Sequence, residues 1–341
     1  MQQSDHSSVS RGPLVIASRG SRLALWQANF VRSKLSGLGF EANILEVRTK
    51  GDRIQNRFLH EIGGKGVFVR EVEQALADGQ ADLAVHSLKD LPAVTPDGFE
   101  LAAILPRHHS GDVLILHPDK SGLFNGAECI GRDQIKEKKG LKIGTGSLRR
   151  GCLLKEARPD IEVIPLRGNV DTRLQKLRDS DWDGIILAAA SLERLEDLVG
   201  DLEVTGLDPD WFIPSPSQGA LVIETLKTHP VKKTVESLSC SYTRMQIDTE
   251  RAVLKALGGD CTMPIGMHVS TPDSSGEVRV MAVVLNLNGE CSRAAFKCPV
   301  GDLSQPENLA RKVVSRLIDN NLRKIMKDLD LILPEQNEGA I

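Results

Sequence analysis

Three segments of the sequence share one pattern, in which an apolar strand runs into a short loop with arginine and a helix begins there. The segments are LVIASRGSRLALWQA, LKIGTGSLRRGCLL and IEVIPLRGNVDTRLQKL. The polar residues at these junctions are Arg19, Ser21, Arg22, Thr145, Ser147, Arg149, Arg150, Arg167 and Arg173. Because ligands of open α/β sheets bind beyond the carboxyl ends of the strands, the junctions predict a binding cleft.

The chemistry of these junctions favours an anionic ligand. A helix N-terminus presents unpaired N–H groups and the positive end of the helix dipole. Arginine in the first turn is mildly unfavourable there, because like charges meet, so its repetition indicates a negative group in the space between. Guanidinium groups match carboxylate or phosphate in bidentate geometry. The alternative is that each arginine is a solvated side chain, which is the usual state of one arginine near a helix start.

Composition restricts the class of ligand. The chain has 341 residues and a net charge of −3, and this length suffices for roughly two or three domains. A slightly acidic protein lacks a globally basic surface, so the arginines favour a small anionic ligand and no nucleic-acid partner. No stretch reaches the ~18 consecutive apolar residues of a membrane helix, and the polar start lacks the apolar core of a secretory signal. We therefore expect a cytoplasmic protein with no membrane contact.

The cysteines and histidines do not predict a metal site. Six cysteines are scattered without a CxxC pair or a His/Cys ligand spacing, which argues against zinc and against a disulfide framework. The adjacent His108 and His109 lie in a polar loop, where we predict solvated side chains. No metal is expected.

Apolar patterning predicts two α/β units followed by a small α+β unit. The first has strands at Leu14–Ser18, Ala42–Val47, Ala81–His86 and Leu101–Leu105 and helices at Ser21–Leu35 and Phe68–Asp78. The second has strands at Val113–Leu116, Leu141–Gly144, Ile161–Pro165 and Gly184–Ala188 and helices at Leu148–Ala157, Val170–Arg178 and Ser191–Leu198. The third has helices at Thr243–Leu257 and Pro306–Leu322 and strands at Ile265–Val269, Val278–Leu285 and Ser292–Lys297.

These units give the predicted domains. The first lobe covers residues 13–108, the second 109–207 and the α+β domain 229–334. Residues 1–12 and 335–341 are predicted to be loose tails. The proline-rich segment FIPSPSQGALVIE is typical of a chain that crosses back between lobes, so residues 208–228 are assigned to the first lobe.

The motif HSLKDLP places Lys89 and Asp90 directly after an apolar strand. A carboxylate at such a strand end can accept N–H hydrogen bonds, stabilise a cation or move protons. The alternative is a turn that carries a solvated Lys–Asp pair before Pro92. The residues alone leave both interpretations open.

The segment LGGDCTMPIG places Cys261 on a loop after a helix that ends at two glycines. A loop thiol can act as a nucleophile or as a covalent anchor. Most single cysteines are structural, so this signal is weak by itself, and no Cys–His–Asn set supports a protease.

The chain apart from its tails resembles the porphobilinogen deaminase family, also called hydroxymethylbilane synthases. The motifs ASRGSRLALWQ, TKGD, VHSLKDLP, IGTGSLRR, LRGNVDTRL, SQGAL, ERAVLKALGGDC and CTMPIG occur in the order typical of that family. The resemblance implies two periplasmic-binding-protein-like, doubly wound lobes and a small α+β C-terminal domain. It also implies a monomeric transferase that condenses four porphobilinogen molecules head to tail into hydroxymethylbilane, with loss of ammonia.

The resemblance further implies roles for individual residues. Asp90 matches the catalytic carboxylate, and Cys261 matches the thioether anchor of a dipyrromethane cofactor built from two porphobilinogen units. The other cofactor-binding residues implied are Lys89, Thr145, Ser147, Arg149 and Arg150. The substrate-binding residues implied are Arg19, Ser21, Gln27, Arg167, Arg173 and Gln218. Every pyrrole ring carries an acetate and a propionate, which agrees with a cleft rich in arginine.

Two points qualify this assignment. Asp260 stands directly before Cys261, where the more familiar family form has glycine, so we expect a difference in the local backbone and the rate of cofactor loading, not in the anchor itself. The competing function is that of a solute-binding or effector-sensing module, which would share the two-lobe architecture. Intact mass separates the two, since only the enzyme carries a covalent two-pyrrole adduct.

Overall fold

A computed structural model describes residues 12–49, 69–259 and 263–329. Its strands are β1 (Leu14–Arg19), β2 (Ala42–Val47), β3 (Leu83–Ser87), β4 (Phe99–Ile104), β5 (Asp112–Leu116), β6 (Cys129–Ile130), β7 (Lys142–Thr145), β8 (Glu162–Pro165), β9 (Gly184–Ala188), β10 (Val204–Leu207), β11 (Leu221–Leu226), β12 (Ile265–Val269), β13 (Glu277–Leu285) and β14 (Cys291–Pro299). Its α-helices are α1 (Arg22–Gly37), α2 (Arg70–Ala77), α3 (Arg132–Lys136), α4 (Leu148–Ala157), α5 (Val170–Arg178), α6 (Ala189–Glu193), α7 (Val231–Glu236), α8 (Ser241–Ala256), α9 (Pro306–Asp319) and α10 (Leu322–Asp328).

The first sheet has the strand order β2-β1-β3-β11-β4. Strands β1, β2 and β3 are parallel, whereas β11 runs antiparallel to both of its neighbours. Because β11 lies between β3 and β4, the return segment that contains it completes this sheet. Helix α7 adds Val231 and Val235 to the same core, which α1 covers with Ala28, Val31 and Leu35.

The second sheet has the order β6-β10-β5-β9-β7-β8. Strands β7, β8 and β9 are parallel, and β5 runs antiparallel to both β9 and β10. The polar stretch between residues 119 and 139 supplies β6, a two-residue strand at the edge of this sheet. Strands β5 and β9 are buried throughout, as expected for central strands covered on both faces.

The third sheet is the antiparallel meander β12-β13-β14. One face of β13, through Val278 and Val280, packs with α8, α9 and α10 in a separate core. On its other face, Met281 and Val283 belong to the core of the second sheet. The α+β unit is therefore fixed directly on the second lobe.

Most predicted elements are confirmed, and α4, α5, β2, β9 and β12 have the predicted limits. The helix predicted at Ser191–Leu198 is wrong: α6 ends at Glu193, because Leu195 leaves helical geometry (φ −135°, ψ 46°) before a 3₁₀ turn. The helix predicted at Pro306–Leu322 ends earlier, at Asp319, since Asn321 adopts a left-handed conformation with φ 70°, and the helix that follows, α10, was not predicted. Strand β10 and helix α7 were not predicted.

Some predictions lie outside the described residues. These are Cys261, Asp260, Phe68 and, apart from Gly12, the two tails. The division into domains at the stated residues stays a prediction. Within the described ranges, no helix has the length and apolar character that crossing a bilayer requires.

Candidate active site

The predicted arginine junctions of both lobes meet in one cluster. Arg173 of α5 interacts electrostatically with Arg150 and Arg167, which belong to its own lobe, the second. It also interacts with Asp90 and Arg19, which belong to the first lobe. Arg19 ends β1, and Asp90 ends the single 3₁₀ turn (Leu88–Asp90) that follows β3. The carboxyl ends of strands from two sheets therefore face one another across a charged cleft, as the sequence pattern predicts.

A buried carboxylate that the sequence analysis missed lies beneath this cleft. Asp112 begins β5 and has 1 % exposure. Its Oδ2 accepts a hydrogen bond from Arg149 Nη2 at 2.7 Å, and its Oδ1 accepts from Arg150 Nε at 3.0 Å and Nη2 at 2.8 Å. Burial alone would raise the pKa of Asp112, but Arg149 and Arg150 outweigh it and lower the pKa to about 2. Asp112 therefore fixes two of the predicted cofactor-binding arginines.

The two arginines are also held by backbone carbonyls. Arg149 Nη1 donates to Ile213 O at 2.8 Å, and Arg150 Nη1 donates to Ile186 O at 3.0 Å. Both side chains are buried, with 3 % and 5 % exposure. Arg149 Nε is buried without a hydrogen-bond partner in the described part of the chain. One N–H of this fixed guanidinium thus remains for a ligand.

Lys89 reaches the same cluster from the first lobe. Its Nζ donates to Gln218 Oε1 at 3.1 Å. Burial, followed by repulsion from Arg150, lowers the pKa of Lys89 to about 8, although Asp90 and Asp112 oppose the shift. Lys89 is therefore charged at neutral pH but loses its proton more readily than an ordinary lysine.

Arg173 experiences similar repulsion. Burial, then Arg150 and Arg167, lower the pKa of Arg173 to about 10. Its Nε donates to Gly168 O at 2.7 Å, which holds the side chain in the cleft. Among the described residues, this cluster contains six cationic groups (Arg19, Lys89, Arg149, Arg150, Arg167, Arg173) and two carboxylates (Asp90, Asp112). This excess of positive charge suits a ligand with several carboxylates.

The Asp90 carboxylate makes no hydrogen bond or ion pair of its own with the described residues. Its side chain is half-buried, and its electrostatic partners are Lys89 and Arg173. A carboxylate near cations, yet without hydrogen bonds to the described residues, keeps its oxygens available to accept N–H groups of a ligand. The hydrogen bond of Lys89 to Gln218 favours the binding role, which stays a prediction, over that of a solvated surface pair.

The predicted serine ligands serve as helix caps. Ser21 Oγ accepts a hydrogen bond from Ala24 N at 3.3 Å at the start of α1. Ser147 Oγ accepts a longer one from Arg150 N at 3.5 Å at the start of α4, and Thr145 Oγ1 accepts from Ser147 N at 3.2 Å. Capping satisfies helix N–H groups that would otherwise be unpaired. Gly146 is required between them, since a Cβ there would lie 2.5 Å from Leu166 O.

A small pocket opens beside these caps, between the lobes and the α+β unit. It is lined by Lys89, Ser147, Arg149, Ser215, Pro216, Leu254, Met263 and Ile265. The wall is cationic on the lobe side and apolar on the α+β side. Met263 adjoins residues 260–262, which the structure does not describe.

The two predicted glutamine ligands are buried and engaged. Gln27 has 3 % exposure and donates from Nε2 to Ser87 Oγ at 2.8 Å. Gln218 has 1 % exposure and accepts from Lys89 as well as from Arg150 Nη2 at 3.4 Å. The structure thus brings both residues to the site, with contacts to protein groups.

A second buried ion pair, also missed from the sequence, joins the crossing segments to the α+β unit. Glu250 of α8 accepts two hydrogen bonds from Arg107, at 2.7 and 3.0 Å, and one from Ser217 N at 2.6 Å. Arg194 Nη2 donates to Gly219 O at 2.9 Å in the same region. Two features of the sequence could have indicated these buried carboxylates. Glu250 lies within the apolar face of α8, near Val253 and Leu254, and Asp112 begins the apolar run DVLIL.

The histidine prediction is half correct. His109 is exposed, as predicted. His108 is partly buried, because its ring packs edge-on against Trp26 at 5.9 Å and its Nδ1 lies 3.3 Å from Glu193. In the described ranges, no cluster of histidine, cysteine and acidic side chains is arranged to hold a metal ion.

Comparison with known proteins accounts for nearly the whole chain. The family model described as "Porphobilinogen deaminase, dipyromethane cofactor binding domain" matches residues 14–233, and that described as "Porphobilinogen deaminase, C-terminal domain" matches residues 245–319. The porphobilinogen deaminase of Sulfurimonas denitrificans is 37 % identical over 324 residues, covering 94 % of this chain and 98 % of the relative. That of Ralstonia nicotianae is 38 % identical over 327 residues, covering 94 % and 93 %.

Among solved structures, an ancestral cationic amino acid solute binding protein resembles this chain with a TM-score of 0.42 and 11 % identity. The similarity covers 67 % of this chain and 88 % of that one. The α/β fold class is confirmed by the two mixed sheets and the smaller antiparallel sheet, and the last unit matches the family's C-terminal domain model. On the extent and identity of its sequence matches, the chain belongs to the porphobilinogen deaminase family.

Proposed function

We propose that this chain condenses four porphobilinogen molecules head to tail, releasing ammonia and linear hydroxymethylbilane. The observation that carries the proposal is the position of Asp90, which lies unpaired by hydrogen bonds beside Lys89 and Arg173 in a cationic cleft. Each condensation adds a pyrrole with two carboxylates, and each loss of ammonia leaves an electron-poor pyrrole. The cationic groups of the cleft can bind the carboxylates, and its one available carboxylate can stabilise the electron-poor pyrrole.

The residues present fit a dipyrromethane cofactor, the group named by the matching family model. Its four carboxylates would meet Lys89, Arg149 and Arg150, with the buried, unpartnered Arg149 Nε as one donor. Ser147 and Thr145 lie at the same helix start, where backbone N–H groups favour anions. When bound, the cofactor supplies the terminal pyrrole to which substrate is added.

Cys261 is the proposed thioether anchor. It lies outside the described residues, so the proposal rests on the sequence CTMPIG and on Met263, which follows it closely and lines the pocket with Lys89 and Arg149. Intact mass should show one two-pyrrole adduct, and peptide mapping should place it on the peptide with Cys261. Cys261→Ser should lack the adduct and be inactive. An adduct on Cys152 or Cys240 would contradict the assignment.

The remaining arginines are proposed to bind the carboxylates of substrate and growing chain. Arg19 comes from the first lobe, and Arg167 and Arg173 from the second. Ser21 lies beside Arg19 at the start of α1. Binding one anionic chain from both lobes would hold the electron-poor ring against Asp90 and reduce its exposure to water.

Asp90 is proposed as the catalytic carboxylate. Its oxygens can accept pyrrole N–H groups, and its charge can stabilise the positive charge that develops as ammonia leaves. Single-turnover consumption of porphobilinogen by cofactor-loaded Asp90→Asn, compared with that by the wild type, tests this directly. Wild-type protein should release hydroxymethylbilane and ammonia; binding of porphobilinogen without turnover, by a protein with its unmodified sequence mass, would favour the binding-module alternative.

The enzyme is further proposed to act as a cytoplasmic monomer without nucleic acid. The net charge of −3 supports the absence of a nucleic-acid partner, and five free cysteines among the described residues support a reducing compartment. Sedimentation of the cofactor-loaded protein should give the mass of a single chain of 37.2 kDa plus the adduct. A stable dimer would contradict this part of the proposal.

A further inference from the structure

One side of the turn that carries Lys89 and Asp90 packs into the protein interior. Leu88 and Leu91 are buried, with 0 % and 5 % exposure. Leu88 N donates to Ala220 O at 3.0 Å, which ties the turn to the start of β11. The backbone is therefore fixed on one side, but a single 3₁₀ turn does not by itself set where the two charged side chains point.

A buried amide holds the start of this turn. Gln27, on the buried face of α1, donates from Nε2 to Ser87 Oγ at 2.8 Å. Ser87 is the N-cap residue of the turn, yet its hydroxyl makes no capping bond. The Ser87 side chain is thus committed to Gln27 rather than to the turn's own N–H groups.

A second buried amide holds the other flank. Gln218 Oε1 accepts from Lys89 Nζ at 3.1 Å, while its Nε2 donates to Gly111 O at 3.0 Å and to Asp112 Oδ1 at 2.9 Å. A further contact joins Nε2 to Ser110 O at 2.8 Å. An amide nitrogen has two N–H groups, and here both face protein acceptors. Gln218 therefore has no N–H group to offer a substrate carboxylate.

We propose that Gln27 and Gln218 are positioning residues that hold the Lys89–Asp90 turn from its two flanks, rather than ligands of the substrate. The inference rests on the proposed role of Asp90 and deepens it. Gln27 acts on Asp90 through Ser87, and Gln218 acts through Lys89.

The chemistry of glutamine suits the second position. A neutral amide can accept from Lys89 and donate to Asp112 at the same time, which neither a carboxylate nor an ammonium group can do. Gln218→Glu would keep an acceptor for Lys89 but place a second carboxylate against buried Asp112. Gln218→Met removes both contacts and preserves the shape of the side chain.

A double-mutant cycle tests the first flank, with Gln27→Met and Ser87→Ala as the single variants. If Gln27 acts through Ser87, each variant lowers kcat roughly 10- to 100-fold with little change in KM. The kcat of the double variant is then no lower than that of either single variant. Ser87→Thr, which keeps the hydroxyl, should recover most of the rate. A raised KM with unchanged kcat, or additive losses, would overturn the assignment in favour of a substrate ligand.

The pH profile tests the second flank. Lys89 faces Arg149 and Arg150 from α4, Asp112 from β5 and Asp90 from its own turn. Gln218→Met removes an acceptor from the charged ammonium, so the alkaline limb of kcat/KM should move to lower pH by roughly one unit. A merely structural defect would lower activity without moving that limb. An unmoved limb would therefore overturn the role of Gln218.

Gln246→Met is the matched control. Gln246 is a glutamine of 3 % exposure whose Nε2 donates to Val269 O at 2.8 Å, in the α+β unit. Its replacement should lower thermal stability and leave kcat and the pH profile unchanged. Every variant is checked for the cofactor adduct by intact mass before kinetics.

Asp90→Asn, measured in the same assay, separates the two proposals. Wild-type turnover in Asp90→Asn would refute the catalytic role itself. A slow Asp90→Asn with wild-type kinetics and pH profiles in the glutamine variants would refute only the positioning inference.

Discussion

The Asp112 carboxylate lies 2.8 Å from Arg150 Nη2, and both groups are buried beneath the cleft. Arg149 pairs with the other oxygen of the same carboxylate at 2.7 Å. One aspartate of the second lobe thus determines where two arginines proposed to bind ligand lie. The pre-formed arrangement reduces the ordering that a polyanionic ligand must otherwise impose.

Replacing Asp112 should destabilise the protein strongly. Asp112→Asn leaves two buried guanidinium groups without their carboxylate, which should lower the free energy of unfolding by ~3–5 kcal/mol. Urea denaturation at neutral pH measures the loss. Asp197→Asn is the control, since Asp197 pairs with Arg22 on the surface, where a pair contributes only ~0–1 kcal/mol. Equal losses in the two variants would contradict the buried role.

The contribution of Asp112 should also depend on pH. Its pKa is about 2 in the folded protein, below the ordinary aspartate value of 3.8. A lowered pKa means that the stabilisation is present above the unfolded value and is lost as the pH falls through the folded one. The stability difference between wild type and Asp112→Asn should therefore shrink from pH 4 towards pH 2. A constant difference over that window would argue against the linkage.

The helices and strands that position the site could be predicted from local sequence patterns. The contacts between its buried side chains could not. Helices α4 and α5 have the predicted limits, because polar N-cap residues precede regular apolar spacing in both. The pairing of Asp112 with Arg149 and Arg150 joins residues 37 and 38 positions apart. No local rule specifies such a contact. Matching motifs likewise brought Gln218 to the site, but only its hydrogen bonds distinguish a ligand from a support.

The lowered pKa of Lys89 predicts that substrate binding weakens at alkaline pH. Its pKa of about 8 lies well below the usual lysine value of 10.5 because burial and Arg150 disfavour the charged form. The positive charge, and its attraction for carboxylates, is lost as the pH rises through that value. KM for porphobilinogen should therefore rise above pH 8, and Lys89→Arg should move this limit upward, since arginine stays protonated. KM profiles of the two proteins that coincide would exclude Lys89 from binding.

At neutral pH Lys89 lowers the free energy of unfolding whereas Asp112 raises it, although stability rises with pH through the titration of either group. Between pH 8 and 10.5 the unfolded chain binds more protons at this site than the folded protein does. The unfavourable contribution of charged Lys89 to stability is therefore relieved as the pH rises through this range. Lys89→Met should raise the free energy of unfolding more at pH 7 than at pH 10.

Arg173 should bind through its forked geometry as well as its charge. Arg173→Leu should lose one charge-assisted contact worth ~1.5–3 kcal/mol, or about one to two decades in binding. Arg173→Lys keeps the charge but loses the fork, so it should recover only part of the loss. Stopped-flow titration of cofactor-loaded protein measures the affinity, and intact mass follows how many pyrroles are added. Wild-type affinity in Arg173→Leu would show that Arg173 does not bind the substrate.

Asp90 is the residue on which turnover should depend most. Asp90→Asn keeps the size of the side chain and removes the charge that faces Lys89 and Arg173. Because Asp90 is half-buried and forms no hydrogen bond or ion pair with the described residues, the variant should fold and retain its cofactor. If the carboxylate stabilises the transition state, turnover should fall by roughly two to three decades, as for the loss of one oxyanion-hole donor. Asp90→Glu moves the charge by one methylene and should keep some activity.

The decisive measurement is single-turnover consumption of porphobilinogen by folded, cofactor-loaded Asp90→Asn. Loading is verified by mass, so a low rate cannot be attributed to a missing cofactor. Substrate should still bind, because the cationic groups that contact its carboxylates remain in place. A rate within a factor of a few of wild type would eliminate Asp90 as the catalytic carboxylate. A rate lowered by decades with binding retained would place its effect in the transition state, where a carboxylate near Lys89 and Arg173 is positioned to act.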